Sequence, residues 1–247
     1  MKKNQVAVTF DIEWAPDEVL GDLFTILSRY SFPVTLFATH KSASLEEMSR
    51  VYEIGLHPNF NPFFQNAFHS SPRAILHELK SWYPDAVGVR CHSRTVSALL
   101  IDQFISVGLR YDANQICPYQ EGLRPYNYLG FCRFTDFWQD DVHALYQRPF
   151  ILSDIPVESE GMKIFNFHPV HIYLNTESPE RYEAARAHYQ EPQKLIEFRN
   201  TQTKGTRDLL IELLDYLKDR RMQPHALRDL ACQFISAERP HAMASDD

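Results

Sequence analysis

Val6-Ala7-Val8-Thr9-Phe10-Asp11-Ile12-Glu13-Trp14 opens the chain as a β-strand that closes on two acids. Its first five residues favour a pleated, half-buried setting, and Ala15-Pro16 stops the strand because proline cannot donate to a sheet ladder. Side chains two apart on a strand share a face, so this reading projects Asp11 and Glu13 together. Two carboxylates that close resist joint ionisation unless a cation stands between them. Phe10, Ile12 and Trp14 make the surroundings apolar. An acid pair in such surroundings points to a site rather than to an exposed strand end.

Outward from this strand, short apolar strands alternate with helical stretches. Asp17 to Tyr30 carries Val19, Leu20, Leu23, Phe24, Ile26 and Leu27 at helical spacing. Residues 32–39 read as a buried strand, Ser44 caps a helix through Glu47, and residues 53–56 form a strand ending at His57. Ser71-Pro72 opens another helix, residues 86–89 form a strand ending at Arg90, and residues 95–107 are helical up to Gly108. Beyond an irregular, aromatic stretch from Gln115 to Pro149, residues 150–152 read as a strand and residues 162–167 as a clearer one ending at His168-Pro169. The polar segment from Thr176 to Thr203 reads as a lid or excursion, and residues 207–221 as the strongest helix. Crossovers of this length predict an α/β fold with parallel strands. No glycine-rich phosphate loop follows any strand, which disfavours a nucleotide-binding open sheet.

At 247 residues and 44% hydrophobic content, the chain can bury one barrel-sized core. Residues 1–236 read as a single domain, and residues 237–247 as a flexible polar tail. A net charge of −7 argues against nucleic acid as a partner. No apolar run approaches membrane-spanning length, and the stretch after Lys2-Lys3 meets Asp11 too soon for an export signal, so a cytoplasmic location is expected. Cys91, Cys117, Cys132 and Cys232 form no CxxC pair; a zinc ribbon is unsupported and reduced thiols are expected.

The placement of the polar residues carries the functional reading. Asp11 and Glu13, His57, Arg90 and His168 each stand at the C-terminal end of an expected strand, and in a parallel barrel those ends share one rim. Asn61 follows His57 by four residues, a spacing that one turn closes. Imidazole and carboxylate suit a divalent metal such as zinc, and the Asn61 oxygen would complete the set. Alternatively, Asn61 bonds backbone in a turn.

Thr9-Phe10-Asp11-Ile12-Glu13, His57-x-x-x-Asn61, Gly88-Val89-Arg90 and Phe167-His168-Pro169 fall in the order seen in polysaccharide deacetylases of the NodB-homology type. The chain resembles that family over roughly residues 5 to 235, most of all its O-antigen-locus, WbmS-like members. The resemblance implies an irregular (β/α)7-type barrel and metal-dependent removal of N- or O-acetyl groups from a sugar in surface polysaccharide biosynthesis. It implies Asp11 as base, Arg90 as its partner, His168 as acid, and Glu13 and His57 as metal ligands, with Asn61 where the family has a second metal His. The usual adjacent acid pair is here split as Asp11-Ile12-Glu13, and the Arg-Pro-Pro stretch becomes Arg90-Cys91-His92, so His92 is an alternative ligand. In Asp136-Phe137-Trp138-Gln139-Asp140-Asp141, Trp138 is expected to wall the acyl pocket or, alternatively, to lie buried in the core, and Asp140 or Asp141 to bond the catalytic His.

These residue types suit the chemistry on their own terms. An amide is a poor electrophile; a metal polarises it and acidifies water, a carboxylate takes the proton, and an imidazole protonates the leaving amine. An acetylated sugar is the expected partner and Zn2+ the expected cofactor. Other readings remain open: a catalytically silent sugar-binding barrel, a metal-assisted hydrolase of a non-sugar amide, and a glycosidase using Asp11 with a distant acid.

Overall fold

Seven residues of Asn4–Asp11 (β1), from Gln5 onward, are buried, as expected for a strand covered on both faces. The computed structural model describes residues 4–64 and 71–242. The further strands are Thr35–Ala38 (β2), Glu53–Leu56 (β3), Gly88–Val89 (β4), Tyr111–Ile116 (β5), Tyr126–Tyr128 (β6), Phe131–Asp136 (β7), Trp138–Gln139 (β8) and Gly161–Phe167 (β9). They form one sheet in the order β6-β7-β5-β4-β3-β2-β1-β9-β8. All neighbours are parallel except β6 and β7. Residues 131–139 stand at both ends of this order. β7 pairs with β5, the Phe137 N–H donates to the Ile164 carbonyl at 3.0 Å, and β8 then pairs with β9. One bent stretch thus curls the sheet round on itself into the irregular parallel barrel expected, with β6 as an antiparallel appendage.

The barrel interior is packed. Ala7, Phe37, Tyr111, Phe134 and Ile164 fill it together with Leu227, Leu230 and Ala231 from the helix Leu227–Ala242. A β-carbon on Gly88 would lie 2.0 Å from the Tyr111 ring, so glycine there is what admits the tyrosine. Tyr111 reaches the buried Glu53 at 2.7 Å, and Glu53 in turn accepts the Arg228 N–H at 3.0 Å. The Thr35 hydroxyl accepts the Leu227 N–H at 3.0 Å. Two otherwise orphaned donors of the last helix are satisfied by the barrel itself, and that helix plugs its floor. The second, larger core lies between the sheet and its surrounding helices.

Four expectations are corrected. The first strand ends at Asp11, not Trp14: Glu13 and Trp14 take left-handed φ of 50° and 56°. Glu13 is therefore aimed by a turn rather than by strand alternation. The cap of the helix Ala43–Met48 is Ser42, whose hydroxyl accepts the Leu45 N–H, rather than Ser44. Residues 150–152 form no strand, and Leu152–Asp154 is a 3-10 turn. Residues 237–242, assigned to the tail, continue the last helix, Leu227–Ala242; residues 243–247 lie outside the described residues. All four cysteines are free. No helix among the described residues is long and apolar enough to cross a membrane.

Candidate active site

Parallel pairing places the C-terminal ends of β1, β3, β4, β7 and β9 on one rim, which brings Asp11, His57, Arg90, Asp136 and His168 together. Arg90 is its fixed point. The guanidinium is fully buried and stacks on Phe37, with 4.4 Å to the ring centroid. Its Nη1 donates to Thr9 Oγ1 at 2.9 Å, Asp11 Oδ1 at 3.0 Å and Asn166 Oδ1 at 2.7 Å. Its Nη2 donates to Asp136 Oδ1 at 2.8 Å, and its Nε to the Ala113 carbonyl at 3.1 Å. Arg94 holds the other Asp136 oxygen at 2.7 Å. Two arginines thus balance two buried aspartates, which is what lets such charges leave water. Asn166 Nδ2 donates to Asp11 Oδ2 at 2.8 Å, so both oxygens of Asp11 are oriented. Burial disfavours its ionisation, but Arg90, then His57 and His168, prevail and hold its pKa at about 2.

Glu13, delivered by its left-handed turn, meets two imidazoles: Oε1 lies 2.9 Å from His57 Nε2 and 2.8 Å from His92 Nδ1. Burial opposes the charge on Glu13, yet hydrogen bonds from His57 and His92 keep it well below the usual carboxylate range. The Glu13 hydrogen bond raises the pKa of His92. One donor atom from each residue lies within 4.8 Å of the others. His57 Nδ1 is buried without a hydrogen-bond partner, 3.7 Å from Asp11 Oδ1. Two imidazoles and a carboxylate converging so closely fit the donor set of a zinc centre with open positions. Asn61 does not join them. Its Nδ2 donates to Ser93 Oγ at 3.0 Å, and its Oδ1 accepts from Thr95 at 3.0 Å. The helix Asn61–Phe64 starts at Asn61, so no helical turn connects it to His57.

Across the rim, His168 Nδ1 lies 2.6 Å from Asp140 Oδ1, and its backbone N–H donates to Asp140 Oδ2 at 2.7 Å. This grip turns Nε2 toward Asp11, 3.9 Å from Oδ2. Burial alone would lower the His168 pKa; Asp140 outweighs it and raises the pKa to about 10. Asp141 is not the partner, because its Oδ1 accepts from Gln139 Nε2 and the Val142 N–H, each at 2.6 Å. Trp138 does not wall a pocket. It is 1% exposed, packs on Phe167 and donates its Nε1–H to His143, so the indole belongs to the core. The open face of the site is a groove of about 530 Å³ whose lining includes Glu13, Trp14, His92, His168, Tyr182 and Tyr189.

Thr9, Arg94, Asp136 and Asn166 were not singled out from the sequence. Asn166 had left a signal, as the polar residue between Phe165 and Phe167 in an apolar strand. Thr9, paired with it across β1 and β9, left the same signal between Val8 and Phe10, muted because threonine is itself a strand former.

The polysaccharide deacetylase family of WbmS-like proteins matches residues 8–186. A crystal structure assigned as a polysaccharide deacetylase involved in O-antigen biosynthesis, WbmS from Bordetella bronchiseptica, is 36% identical with a TM-score of 0.81, covering 85% of this chain and 90% of that one. A Mycobacterium smegmatis structure assigned as a polysaccharide deacetylase shares the fold at 15% identity and a TM-score of 0.51, covering 91% and 93% of the two chains. The Xyl-CE4 domain of a multidomain xylanase from the hindgut metagenome of Trinervitermes trinervoides does so at 15% identity and a TM-score of 0.50, covering 93% and 90%. No curated protein matches the chain.

Proposed function

The chain belongs to the WbmS-like family of polysaccharide deacetylases, and from that premise we propose that it hydrolyses an acetyl group from a sugar of an O-antigen-type polysaccharide with the help of a divalent metal, most simply Zn2+. The observation that carries this reading is the meeting of Asp11 and His168, 3.9 Å apart, beside the Glu13, His57 and His92 donors. At neutral pH the directions of their pKa shifts leave Asp11 ionised and His168 protonated, the resting state that hydrolysis needs.

A divalent ion held by Glu13, His57 and His92 would polarise the acyl carbonyl and acidify water enough for so weak a base to take its proton. Asp11 is that base. Arg90 keeps it charged, and Asn166 turns its Oδ2 to the side of the site where His168 stands. As water adds to the carbonyl carbon and the C–N bond breaks, His168 delivers its Nε2 proton to the departing amine. Asp140 fixes the imidazole through Nδ1 and stabilises its charged form. The products are acetate and the free amine, or the alcohol from an ester.

Acetate release from N- and O-acetylated sugars, measured with zinc supplied, tests this reading. The wild type should release acetate, and Asp11→Asn should release none while keeping its fold. A wild type that binds the sugars but releases no acetate identifies a silent sugar-binding barrel instead; release from simple non-sugar amides alone favours the broader hydrolase.

A further inference from the structure

The segment between Thr176 and Gly205 leaves the barrel, and its middle returns to the turn that carries Glu13. Tyr189 donates its hydroxyl to the Glu13 carbonyl at 2.5 Å, and Gln190 Nε2 donates to the Trp14 carbonyl at 3.0 Å. From the opposite side, Thr39 Oγ1 at the end of β2 accepts the Trp14 N–H at 2.9 Å. The turn needs such support. Glu13 and Trp14 are consecutive non-glycine residues in left-handed conformation, where an L side chain crowds its own backbone. The Ile12 carbonyl is taken by the Ala15 N–H at 2.9 Å, which leaves the Glu13 and Trp14 carbonyls to partners outside the turn.

We propose that Tyr189 and Gln190 are positioning residues for the metal centre: a strap that holds the Glu13 turn in the strained geometry that aims its carboxylate at His57 and His92. This rests on the reading that Glu13, His57 and His92 bind a metal. The strap also forms part of the groove wall, since Tyr189, Gln190 and Tyr182 line it. A sugar in the groove therefore meets the residues that set the ligand, and any effect it has on metal affinity is matched by an equal effect of the metal on sugar affinity. Groups that orient a ligand from behind typically change metal affinity roughly ten- to a hundredfold when removed.

Zinc titration of the full chain, followed by calorimetry, tests the strap directly. Tyr189→Phe and Gln190→Ala should each weaken zinc binding, the double variant by roughly ten- to a hundredfold, while the melting temperature of the metal-free protein stays within a few degrees of wild type. Zinc raised well above the new dissociation constant should restore one zinc per chain, as expected of a centre whose ligands are intact and only less firmly held. Tyr216→Phe, which deletes a remote tyrosine hydroxyl bonded to Glu158 at 2.5 Å, should alter neither quantity. Wild-type zinc affinity in the double variant overturns the strap and leaves the metal reading intact. A wild type that takes up no zinc overturns both.

Discussion

Replacing Arg90 with methionine keeps much of the volume and removes the charge on which the rim is built. The side chain is fully buried and joins Asp11, Asp136, Asn166, Thr9 and the Ala113 carbonyl. Removing one partner of a buried ion pair generally costs ~3–5 kcal/mol, because the other charge is left in a medium that cannot solvate it. Arg94 still holds Asp136 at 2.7 Å, so the stranded charge is chiefly that of Asp11. The lower end of the range applies, ~3 kcal/mol. For a chain of this size each kcal/mol moves the melting temperature by roughly 2–4 °C, which gives roughly 6–12 °C. Scanning calorimetry of chelator-treated wild type and Arg90→Met at pH 7 measures it. Adding Asp11→Asn to the variant removes the stranded charge and should recover part of the loss, a non-additivity expected of contacting residues. A drop below roughly 2 °C, or a double variant less stable than the sum of its parts, would refute the claim that Arg90 offsets the charge of Asp11.

Three further outcomes follow from the same geometry. His168→Ala should lower turnover on an N-acetyl sugar by roughly two to four orders of magnitude and by less on an O-acetyl sugar, since an alkoxide leaves with less help; near wild-type turnover on the amide would hand the acid's role to another residue. The folded pKa of His168 is raised from 6.5 to about 10, so its contribution to stability is complete below pH 6.5 and declines as pH rises toward 10. That of Asp11 is lowered from 3.8 to about 2, so its contribution holds above pH 3.8 and is lost as pH falls toward 2. Melting temperatures of the metal-free protein at pH 7 and pH 9.5 should show the alkaline decline in wild type and not in Asp140→Asn; equal declines would contradict the His168–Asp140 assignment. Asn61→His should leave zinc affinity unchanged, because position 61 faces Ser93 and Thr95 rather than Glu13; tighter binding in a titration would return that position to the ligand set.

The strand-end pattern in the sequence already located the rim, because parallel strands present their C-terminal residues on one side whatever the details of their packing. What it misjudged were directions set by turns. Glu13 was placed beside Asp11 by counting two residues along a strand, whereas a pair of left-handed residues delivers it. Asn61 was favoured by its spacing from His57, yet spacing of four has meaning only inside a helix, and the helix begins at Asn61. His92 reaches Glu13 through a 3-10 turn in which Ser93 and Arg94 are also left-handed, a conformation that neither residue type announces. Trp138 was placed at the acyl pocket by the resemblance, whereas Phe137, Trp138, Gln139 and Asp140 are all buried, so no alternation in this short strand could have shown which way the indole turns. The floor-plugging helix was missed because its apolar residues resemble any surface helix until the open end of the barrel is known.

Zinc stoichiometry across four proteins tests the central claim most directly. Wild type and Asn61→Ala should each hold one zinc per chain after dialysis against trace metal, and Glu13→Ala and His92→Ala should hold none while remaining folded by circular dichroism. Retention by His92→Ala together with loss in Asn61→Ala would contradict the assignment of the centre to Glu13, His57 and His92.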